Sequence, residues 1–384
     1  MSDGPVLVVD AGSASLKAGY AGDDAPATVI PSVAQKYPNG VEAIEEAMIQ
    51  TNDFSAKSLH PIHRGAVKNW EQLEVLWKIM LDDIGITSSD TTSVLITEPP
   101  NAVAADRSKW AEMLFESFRV PSIYIANSSA LSLFASGRTT GLVVECGAGI
   151  TSSVPVFEGL ALAHAATSIE YAGQDVSQHT REALEEQGIQ IDMAYARMLK
   201  EKMAFVRPSA APVTRGNKSQ QQAANREPPA QAHFSLPDGT DVSVDSSLFS
   251  ACMEDVFVNN NMEPAGLTAQ ALDSLQLCDE SLQRDLSNNV IISGGTSMVA
   301  GFGDRLERDL QGLVAKSTNR SHRHMNIRVV PSSAHREAGY TSQRKIAAWI
   351  GGSIVASLDT FKQIKITRQE WEEDPDACVR AKYV

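Results

Sequence analysis

A short motif occurs twice in this chain, and the repeat limits the folds that the sequence can adopt. Residues 8–13 read VVDAGS and residues 143–149 read VVECGAG. In each copy an apolar run ends in an acid, a tip of small residues follows, and a second strand-like run returns, as in a β-hairpin. Helical patterns lie between the copies, and alternating strands and helices favour α/β layers. The repeat therefore predicts a duplicated α/β architecture.

Apolar periodicity predicts several further elements. Helical spacing indicates helices over 70–81 and 104–118, and β-rich runs indicate strands over 93–97 and 122–126. A helix is also predicted over 302–313, where apolar residues again recur at helical spacing. These elements supply the layers that each hairpin needs in order to bury one face.

Two segments break the pattern. Residues 207–233 are rich in Ala, Gln, Ser and Pro, cannot bury a core, and are predicted to form a flexible surface loop. Residues 316–326 concentrate Arg and His and are predicted to form a solvated loop. The second segment is the one notable basic spot on an acidic chain.

Charge and residue usage exclude several classes of protein. The chain has 33 basic and 47 acidic residues and a net charge of −14, so direct contact with nucleic acid is not expected. It has no targeting pattern at its start and no apolar run long enough to span a bilayer, so no membrane association is expected. The predicted location is the nucleus or the cytoplasm, with the nucleus favoured and the cytoskeleton or a cilium as the alternative.

Cysteines and histidines do not indicate a metal site. The cysteines are widely separated, form no CxxC pair, and predict a reducing compartment rather than a disulfide framework. They are Cys146, Cys252, Cys278 and Cys378. Two histidine pairs lack Cys or acid partners at ligand spacing, so they are interpreted as surface residues. The pairs are His60 with His63 and His322 with His324.

Three glycine-rich loops are suited to binding phosphate or a nucleoside. Residues 12–14 and 147–149 form the hairpin tips, where small residues let backbone amides approach phosphate oxygens. Residues 293–296 read SGGT after an apolar run, and they allow close approach of a base or sugar. Singly, each loop is weak support, since a glycine-rich turn after a strand is usually only a turn.

Together, and in this order, the loops resemble those of the actin family, and the resemblance covers most of the chain. It is carried by VVDAGSASLKAGYAGDDAPATVIPS, HPIHRGAVKNWEQLEVLW, VPSIYIANSSALSLFASGRTTG, NNVIISGGTSMVAGF and KIAAWIGGSIVASLDTF. The resemblance implies an actin-like ATPase fold, which consists of two RNase H-like halves with a nucleotide cleft between them. It places the first half at 1–136 plus 329–384, with a small subdomain at about 32–64. The second half is placed at 137–328, with a small subdomain at about 173–250 that contains the loop 207–233.

The resemblance also implies a nucleotide site for ATP or ADP with Mg or Ca. Asp10 is implied to organise the water around the cation, and Ala14 stands where the family has glycine. The implied binding residues are Asp10, Gly12, Ser13, Ala14, Lys17, Gly147, Gly149, Gly173, Arg197, Lys200, Glu201, Gly294, Gly295, Thr296 and Lys345.

The residues that the family uses for hydrolysis are largely replaced. The water-positioning glutamine falls on Ser128, the histidine that helps to relay the proton falls on Ser152, and the two acids of the second loop fall on Glu145 and Ala148. A serine hydroxyl does not accept a proton near neutral pH, so water placement and proton removal are both expected to suffer. The sequence therefore predicts a residual ATPase at most, with no catalytic residue assigned.

Filament contacts are altered, whereas a partner groove is kept. Residues 35–59 lack the family's usual loop, and 258–262 read VNNNM where the family has an apolar tip, so a conventional filament is not expected. The groove that the family uses for partner helices can accept an amphipathic helix. Its residues here are Phe134, Gly137, Thr139, Ile354, Val355 and Leu358.

These features predict a non-polymerising structural subunit of a multi-protein complex that binds nucleotide without appreciable turnover. A chromatin-remodelling complex is favoured, because the first loop and the insertion before KIAAWIGG resemble divergent nuclear actin-related proteins. A cytoskeletal or ciliary subunit associated with dynein or dynactin is the first alternative. An active ATPase of the actin, Hsp70 or sugar-kinase type is the second.

Overall fold

The computed structural model describes residues 4–37, 40–43, 57–86, 89–208, 230–236, 239–259, 265–317, 325–335, 337–375 and 377–378. Most of the predicted loops 207–233 and 316–326, and most of the asparagine run 258–262, therefore lie outside the described residues, as do His322 and His324.

The strands of the described residues form two large and three small sheets. In chain order the strands are β1 (Val6–Ala11), β2 (Ser15–Tyr20), β3 (Thr28–Pro31), β4 (Ala34–Tyr37), β5 (Gly40–Ala43), β6 (Lys57–Leu59), β7 (Ile62–His63), β8 (Ala66–Val67), β9 (Ser93–Glu98), β10 (Ser122–Asn127), β11 (Gly141–Cys146), β12 (Thr151–Phe157), β13 (Leu160–Ala161), β14 (Thr167–Ile169), β15 (Gln231–Ser235), β16 (Asp241–Asp245), β17 (Val290–Ser293), β18 (Val329–Val330) and β19 (Ile366–Thr367).

The α-helices of the described residues are, in chain order, α1 (Trp70–Ile84), α2 (Ala104–Glu112), α3 (Ser128–Ala135), α4 (Gly173–Glu185), α5 (Met193–Met203), α6 (Ser247–Phe257), α7 (Leu267–Gln276), α8 (Glu280–Ser287), α9 (Phe302–Lys316), α10 (Ala338–Gln343), α11 (Ala347–Ala356), α12 (Phe361–Ile364) and α13 (Arg368–Glu373). A π-helical turn follows α2 at Met113–Ser117, and short 3₁₀ turns occupy Ala163–Ala165, Gly295–Met298 and Arg344–Ile346.

The chain forms two compact units. The first unit contains Met1–Thr139 and Ile346–Val384, and the second contains Thr140–Lys345. The sequence predicted the return to the first half at residue 329, whereas the chain returns after Lys345. The later return has a physical cause, because β18 pairs with β17 and the amide of Gly294 donates to the carbonyl of Arg344, so residues 329–345 belong to the second unit.

The central sheets of the two units have the same strand pattern. In the first unit β3, β2 and β1 pair antiparallel, and β9 and β10 continue the sheet parallel to β1. In the second unit β14, β12 and β11 pair antiparallel, and β17 and β18 continue it parallel to β11. The predicted duplication of an α/β unit is therefore confirmed.

Helices cover both faces of the first sheet. Successive side chains of a strand point to opposite faces, so Leu7 and Val9 pack with Trp77 of α1, while Val8 packs with Trp349 of α11. In the second unit, Val144 and Ile292 contribute to one buried cluster together with residues of α6, α7 and α9. No helix of the described residues is long and apolar enough to cross a membrane.

Local chemistry sets the ends of several helices. The side chain of Asn69 accepts from the amide of Gln72 at the start of α1, and Gly85 ends that helix in the left-handed conformation with φ 81°. The side chain of Asn127 accepts from two amides at the start of α3. The predicted helix 70–81 and the predicted strands 93–97 and 122–126 are confirmed as α1, β9 and β10.

The predicted helix over 104–118 is present, but its last turn is π-helical. The amide of Phe118 donates to the carbonyl of Met113, five residues earlier (3.2 Å). Met113, Leu114 and Phe115 in this turn are all buried.

The loop predictions need correction at their ends. The predicted loop 207–233 ends inside β15, which begins at Gln231 and pairs with β16 over its whole length. The predicted helix 302–313 is confirmed and extends to Lys316 as α9, so the predicted loop 316–326 begins one residue too early. The predicted small subdomains stay predictions.

Candidate functional site

The two hairpin tips have the same backbone geometry. The amide of Gly12 donates to the carbonyl of Ser15 (3.1 Å), and the amide of Gly147 donates to the carbonyl of Ile150 (3.1 Å). Each bond spans three residues and closes the tip in the same way. The repeat seen in the sequence is therefore a repeat of a specific turn, one copy in each unit.

Both carboxylate oxygens of the acid before the first tip, Asp10, have hydrogen-bond partners. Asp10 lies opposite Lys17 on the neighbouring strand and forms an ion pair with its ammonium (2.7 Å). The hydroxyl of Thr97 donates to the other carboxylate oxygen of Asp10 (2.8 Å). Both partners hold the carboxylate in one orientation beside the tip, and Ser13 is held in turn by the amide of Gly65, which donates to its hydroxyl oxygen (2.9 Å).

Ser32 orients the carbonyl groups of the first tip. Its hydroxyl donates to the carbonyl of Gly12 (2.6 Å), and its amide donates to the carbonyl of Ala14 (3.0 Å). Because Ser32 satisfies these two acceptors, neither carbonyl is left to oppose an anion at the tip.

The acid before the second tip has different neighbours. Glu145 lies opposite Ser152 on β12 and opposite Ser293 on β17. The hydroxyls of Ser152 and Ser293 are buried and have no hydrogen-bond partner within the part of the chain that the structure describes. The position equivalent to Lys17 is therefore occupied by a neutral side chain, and no lysine faces the acid across the hairpin.

Four of the expected binding residues come together in the second unit. The carbonyl of Gly147 accepts from the amide of Gly173 (3.1 Å) and from the hydroxyl of Thr296 (2.7 Å). The ammonium of Lys200 donates to the carbonyl of Gly173 (2.8 Å). A Cβ atom on Gly173 would lie 2.3 Å from the Thr296 hydroxyl and 3.2 Å from the Lys200 ammonium, so only glycine fits there.

Lys200 is a buried cation with few partners. Its side chain is 7% exposed, and burial lowers the pKa of its ammonium to about 8. Among the described residues no carboxylate lies within ion-pair distance of it, although an ammonium has three donors to satisfy. Such a group is suited to hydrogen-bonding an uncharged or anionic ligand.

Gly294 approaches the backbone of β11 more closely than any other residue type permits. Its φ is 89°, and a Cβ atom there would lie 2.4 Å from the carbonyl oxygen of Cys146. Burial raises the pKa of the Cys146 thiol to about 11, so this cysteine is a neutral packing residue beneath the loop. Gly295, by contrast, has open space around it.

Several of the remaining expected residues of the second unit lie at its surface, whereas Gly149 is buried. Arg197 pairs with Glu201 (3.0 Å), with both side chains about half exposed, and Lys345 is exposed. Ala148 contributes its carbonyl, which accepts from the amide of Gln174 at the start of α4 (2.7 Å). Gly149 also lies at this tip. Asp10, Gly12, Ser13, Ala14, Lys17 and Ser128 belong to the first unit.

The expected partner groove lies wholly in the first unit. Phe134 and Val355 are partly buried against the cluster that contains Val8, Leu131 and Trp349. Ile354 and Leu358 are 43% and 53% exposed, which is high for large apolar side chains. Gly137 and Thr139 are exposed, and Gly137 has φ 72° with nothing within 4 Å of a Cβ position. The structure therefore brings an apolar surface together on α3 and α11.

Sequence reasoning missed Ser32 and Thr97. Each is distant in sequence from the tip that it supports, and each reaches it only through strand pairing, Ser32 after β3 and Thr97 on β9. No local pattern could have marked either one.

Comparison with known proteins decides the family. The family model described as Actin matches residues 1–204 and 192–384. An actin-like protein of Neurospora crassa is 32% identical over 385 residues, which cover 96% of each chain. The chain belongs to the actin family. Its two α/β halves are those of the actin-like ATPase fold, as the sequence resemblance predicted.

Two general properties of the actin family concern ligands and partners. Actin-family proteins generally bind a nucleotide together with a divalent cation, and actin-like proteins commonly work in protein complexes. Within the described residues of this actin-family chain, no group of three or more His, Cys, Asp or Glu is arranged to hold a metal ion directly.

Proposed function

We propose that this chain is a nucleotide-binding, hydrolysis-deficient and non-polymerising subunit of a large protein complex. The observation that carries the proposal is the buried ammonium of Lys200, which donates to the carbonyl of Gly173, while Gly173 and Thr296 are both hydrogen-bonded to Gly147. Desolvating that ammonium is unfavourable in the free protein, and a ligand with acceptor groups offsets the loss.

The residues fit a nucleotide with a divalent cation. In the second unit Gly173 and Gly294 lack a Cβ atom, so Thr296 and the backbone of Gly147 and Cys146 pack directly against them. In the first unit Asp10 presents an oriented carboxylate next to the small-residue tip and Lys17. We assign a nucleoside-binding role to Lys200, Gly173 and Thr296 of the second unit, and a phosphate- and cation-binding role to Ser13, Lys17 and Asp10 of the first. A bound cation supplies charge neutralisation of the phosphates.

Hydrolysis requires a residue that positions water and one that accepts its proton. Ser128 and Ser152 stand where the family has glutamine and histidine, and both serines are buried. Neither hydroxyl takes up a proton near neutral pH, and loss of a positioned base lowers the rate by a factor on the order of 100 to 10,000. Bound nucleotide is therefore retained and stabilises the fold instead of being turned over.

The polar segment 258–262 disfavours polymerisation. Val258 and Asn259 begin the polar run that replaces an apolar tip, and the rest of that run lies outside the described residues. Asparagine side chains do not supply the apolar burial that a lateral contact needs. A pelleting assay in Mg-ATP and salt is expected to leave the protein in the supernatant, and long polymers contradict this part of the proposal.

The exposed apolar side chains of the first unit support a protein partner. Ile354 and Leu358 lie on and just beyond α11, which packs against α3, and one face of an amphipathic helix can cover them. We favour a chromatin-remodelling complex in the nucleus as the host, on the sequence resemblance given above. A complex associated with dynein or dynactin is the alternative.

A thermal-shift series tests the nucleotide. With Mg-ATP at 100 times the dissociation constant, binding to the folded state alone stabilises it by about 2.7 kcal/mol, so a clear rise in Tm is expected. Lys200→Met abolishes the rise, whereas Lys202→Met, at an exposed neighbouring lysine, keeps it. No shift in the unaltered chain at millimolar Mg-ATP rejects nucleotide binding.

Affinity purification with mass spectrometry tests the host complex. We expect subunits of a chromatin-remodelling complex to co-purify with the chain. Co-purification of dynein or microtubule proteins favours the alternative. Leu358→Glu is expected to lose the direct partner. Leu277→Glu is the matched control, because Leu277 is 54% exposed against 53% for Leu358 and lies in the other unit. Equal loss with both variants argues against the groove.

A further inference from the structure

A second buried cation lies in the second unit, at Arg344. Its side chain is 8% exposed, and burial lowers its pKa. Its Nε donates to the hydroxyl of Ser297 (3.2 Å), its Nη2 donates to the carbonyl of Ser297 (2.8 Å), and its Nη1 donates to the carbonyl of Thr341. Every one of these acceptors is neutral, and no carboxylate pairs with Arg344 among the described residues.

The Arg344 bonds hold the SGGT loop and the turn after it. The amide of Gly294 donates to the backbone carbonyl of Arg344 (3.1 Å). The hydroxyl of Ser297, which accepts from the guanidinium, donates in turn to the carbonyl of Gly294 (2.7 Å). Both ends of the segment 294–297 are therefore bonded to Arg344. Gly294 contacts its backbone carbonyl, and Ser297 contacts its guanidinium.

The residues before Arg344 reinforce this attachment. The hydroxyl of Tyr340, which is buried, donates to the carbonyl of Ile292 at the end of β17 (3.1 Å). Thr341 supplies the carbonyl that the guanidinium also holds. Segment 340–344 thus fastens the strand that leads into the loop as well as the loop itself.

We propose that Arg344 is a positioning residue for the nucleoside side of the site, acting through the loop 294–297. By fixing Gly294 and Ser297 it places Thr296, whose hydroxyl reaches Gly147 beside Gly173. This inference rests on the proposed nucleotide binding. It assigns to Arg344 no contact with the nucleotide.

The geometry requires a guanidinium. Its planar group donates to the hydroxyl and the carbonyl of Ser297 at once and still reaches Thr341, whereas a lysine ammonium is a single point on a flexible stem. Arg344→Lys keeps the charge and loses the simultaneous bonds. Arg344→Gln loses both.

The experiment measures loop protection and affinity on the full chain. Hydrogen exchange followed by mass spectrometry reports peptides that cover 290–300, and calorimetry reports the Kd of Mg-ATP. Arg344→Gln is expected to speed exchange in 290–300 at least tenfold and to weaken Mg-ATP binding at least tenfold, with Arg344→Lys intermediate. Exchange in the first hairpin, 5–20, stays unchanged. Arg328→Gln is the matched control, because Arg328 is exposed and lies in the same unit.

The outcomes separate this inference from the proposed function. Mg-ATP affinity within twofold of the unaltered chain in Arg344→Gln overturns the inference, as does unchanged exchange in 290–300. An unaltered chain that binds no Mg-ATP removes the proposed function and this inference with it. If Arg344→Gln does not fold, Arg344→Lys is measured instead. Exchange in 290–300 that is at least threefold faster, together with Mg-ATP binding that is at least threefold weaker, supports the inference, and a smaller change in either one overturns it.

Discussion

Lys200 carries a positive charge in a place where a neutral side chain of similar shape fits the folded protein better. Its ammonium is buried against Gly173, and its pKa is about 8 in the folded chain against an ordinary 10.5. Below pH 8 both the folded and the unfolded chain hold the proton, and the full cost of burying the charge is present. Between pH 8 and 10.5 only the unfolded chain holds it, so this cost disappears as pH rises.

Lys200→Met is therefore expected to stabilise the nucleotide-free protein. At pH 7 the free energy of unfolding should rise by about 1 to 3 kcal/mol, and the gain should shrink towards zero near pH 10.5. Urea unfolding followed by circular dichroism at several pH values measures this difference. Lys202→Met should show no such pH-dependent gain. A Lys200→Met variant that is less stable than the unaltered chain at pH 7 contradicts the account.

Adjacent glycines of the SGGT loop should respond differently to alanine. Gly294→Ala forces a Cβ atom against the carbonyl of Cys146 at a φ of 89°, so we expect a loss of more than about 3 kcal/mol of stability. Gly295→Ala meets open space and should change stability by less than about 1 kcal/mol. Circular dichroism is the suitable probe for this unit. Equal losses of stability in Gly294→Ala and Gly295→Ala contradict the prediction.

The residues of the site divide into those that a sequence can reveal and those that it cannot. The family resemblance implied Gly173, Lys200 and Thr296 as binding residues, and the structure brings them together. Ser32 and Arg344 act through hydrogen bonds to backbone atoms of distant segments, and such bonds place no requirement on the neighbouring sequence. Their roles follow only from the pairing of strands and loops.

At the scale of elements, the contact of α3 with α11 is the tightest in the first unit. A Cβ atom on Gly351 would lie 1.8 Å from the carbonyl of Leu131, and one on Gly352 would lie 2.8 Å from Val8. The two helices approach each other, and the sheet, closely enough to leave no room for a methyl group. The apolar surface formed by Phe134, Ile354 and Leu358 depends on this contact, because it lies on the same two elements.

Gly351→Ala is therefore expected to lower the stability of the first unit by about 3 kcal/mol or more. Gly312→Ala lies in α9 with open space around it and should stabilise the protein by about 0.4 to 1 kcal/mol, since alanine restricts the unfolded chain. All five tryptophans belong to the first unit, so tryptophan fluorescence during urea unfolding reports the Gly351 effect directly. A neutral Gly351→Ala contradicts the close approach.

Element positions were largely readable from the sequence, whereas some of their ends were not. Apolar periodicity identified α1 and α9 because each buries one regular face, and β-rich apolar runs identified β9 and β10, which lie in a sheet covered on both faces. The π-helical turn after α2 was not predicted, since its consecutive buried apolar residues also occur in regular helices such as α6 and do not indicate a wider turn. The start of β15 escaped as well, because its pairing with β16 overrides a locally polar composition.

At the scale of the whole molecule, the replaced catalytic positions are distributed over both units. Ser128 belongs to the first, and Ala148 and Ser152 belong to the second. Restoring all three with Ser128→Gln, Ala148→Asp and Ser152→His is expected to raise single-turnover ATP hydrolysis on the order of 100-fold. Release of radiolabelled phosphate measures it. An unaltered chain that already hydrolyses as fast as the triple variant refutes the proposed deficiency.

Ser152→Ala supplies the control for that experiment. It removes a buried hydroxyl that has no partner among the described residues, so hydrolysis should stay at background while stability rises by about 1 kcal/mol. A fall in stability indicates that the hydroxyl has a bound water as partner, which assigns it a structural role.

The hydrogen bond from the indole of Trp349 to the carbonyl of Val8 joins residues 341 positions apart (3.0 Å). Val8 lies on β1, and α11, which covers that face of the sheet, follows far along the chain. At 5 to 20 residues per second a ribosome needs about 20 to 70 s to deliver Trp349 after Val8. During that interval the apolar face of β1 lacks its helical cover, while every residue of the second unit emerges before Trp349. A nascent chain of this protein is therefore expected to require shielding of its first sheet until Trp349 has been synthesised.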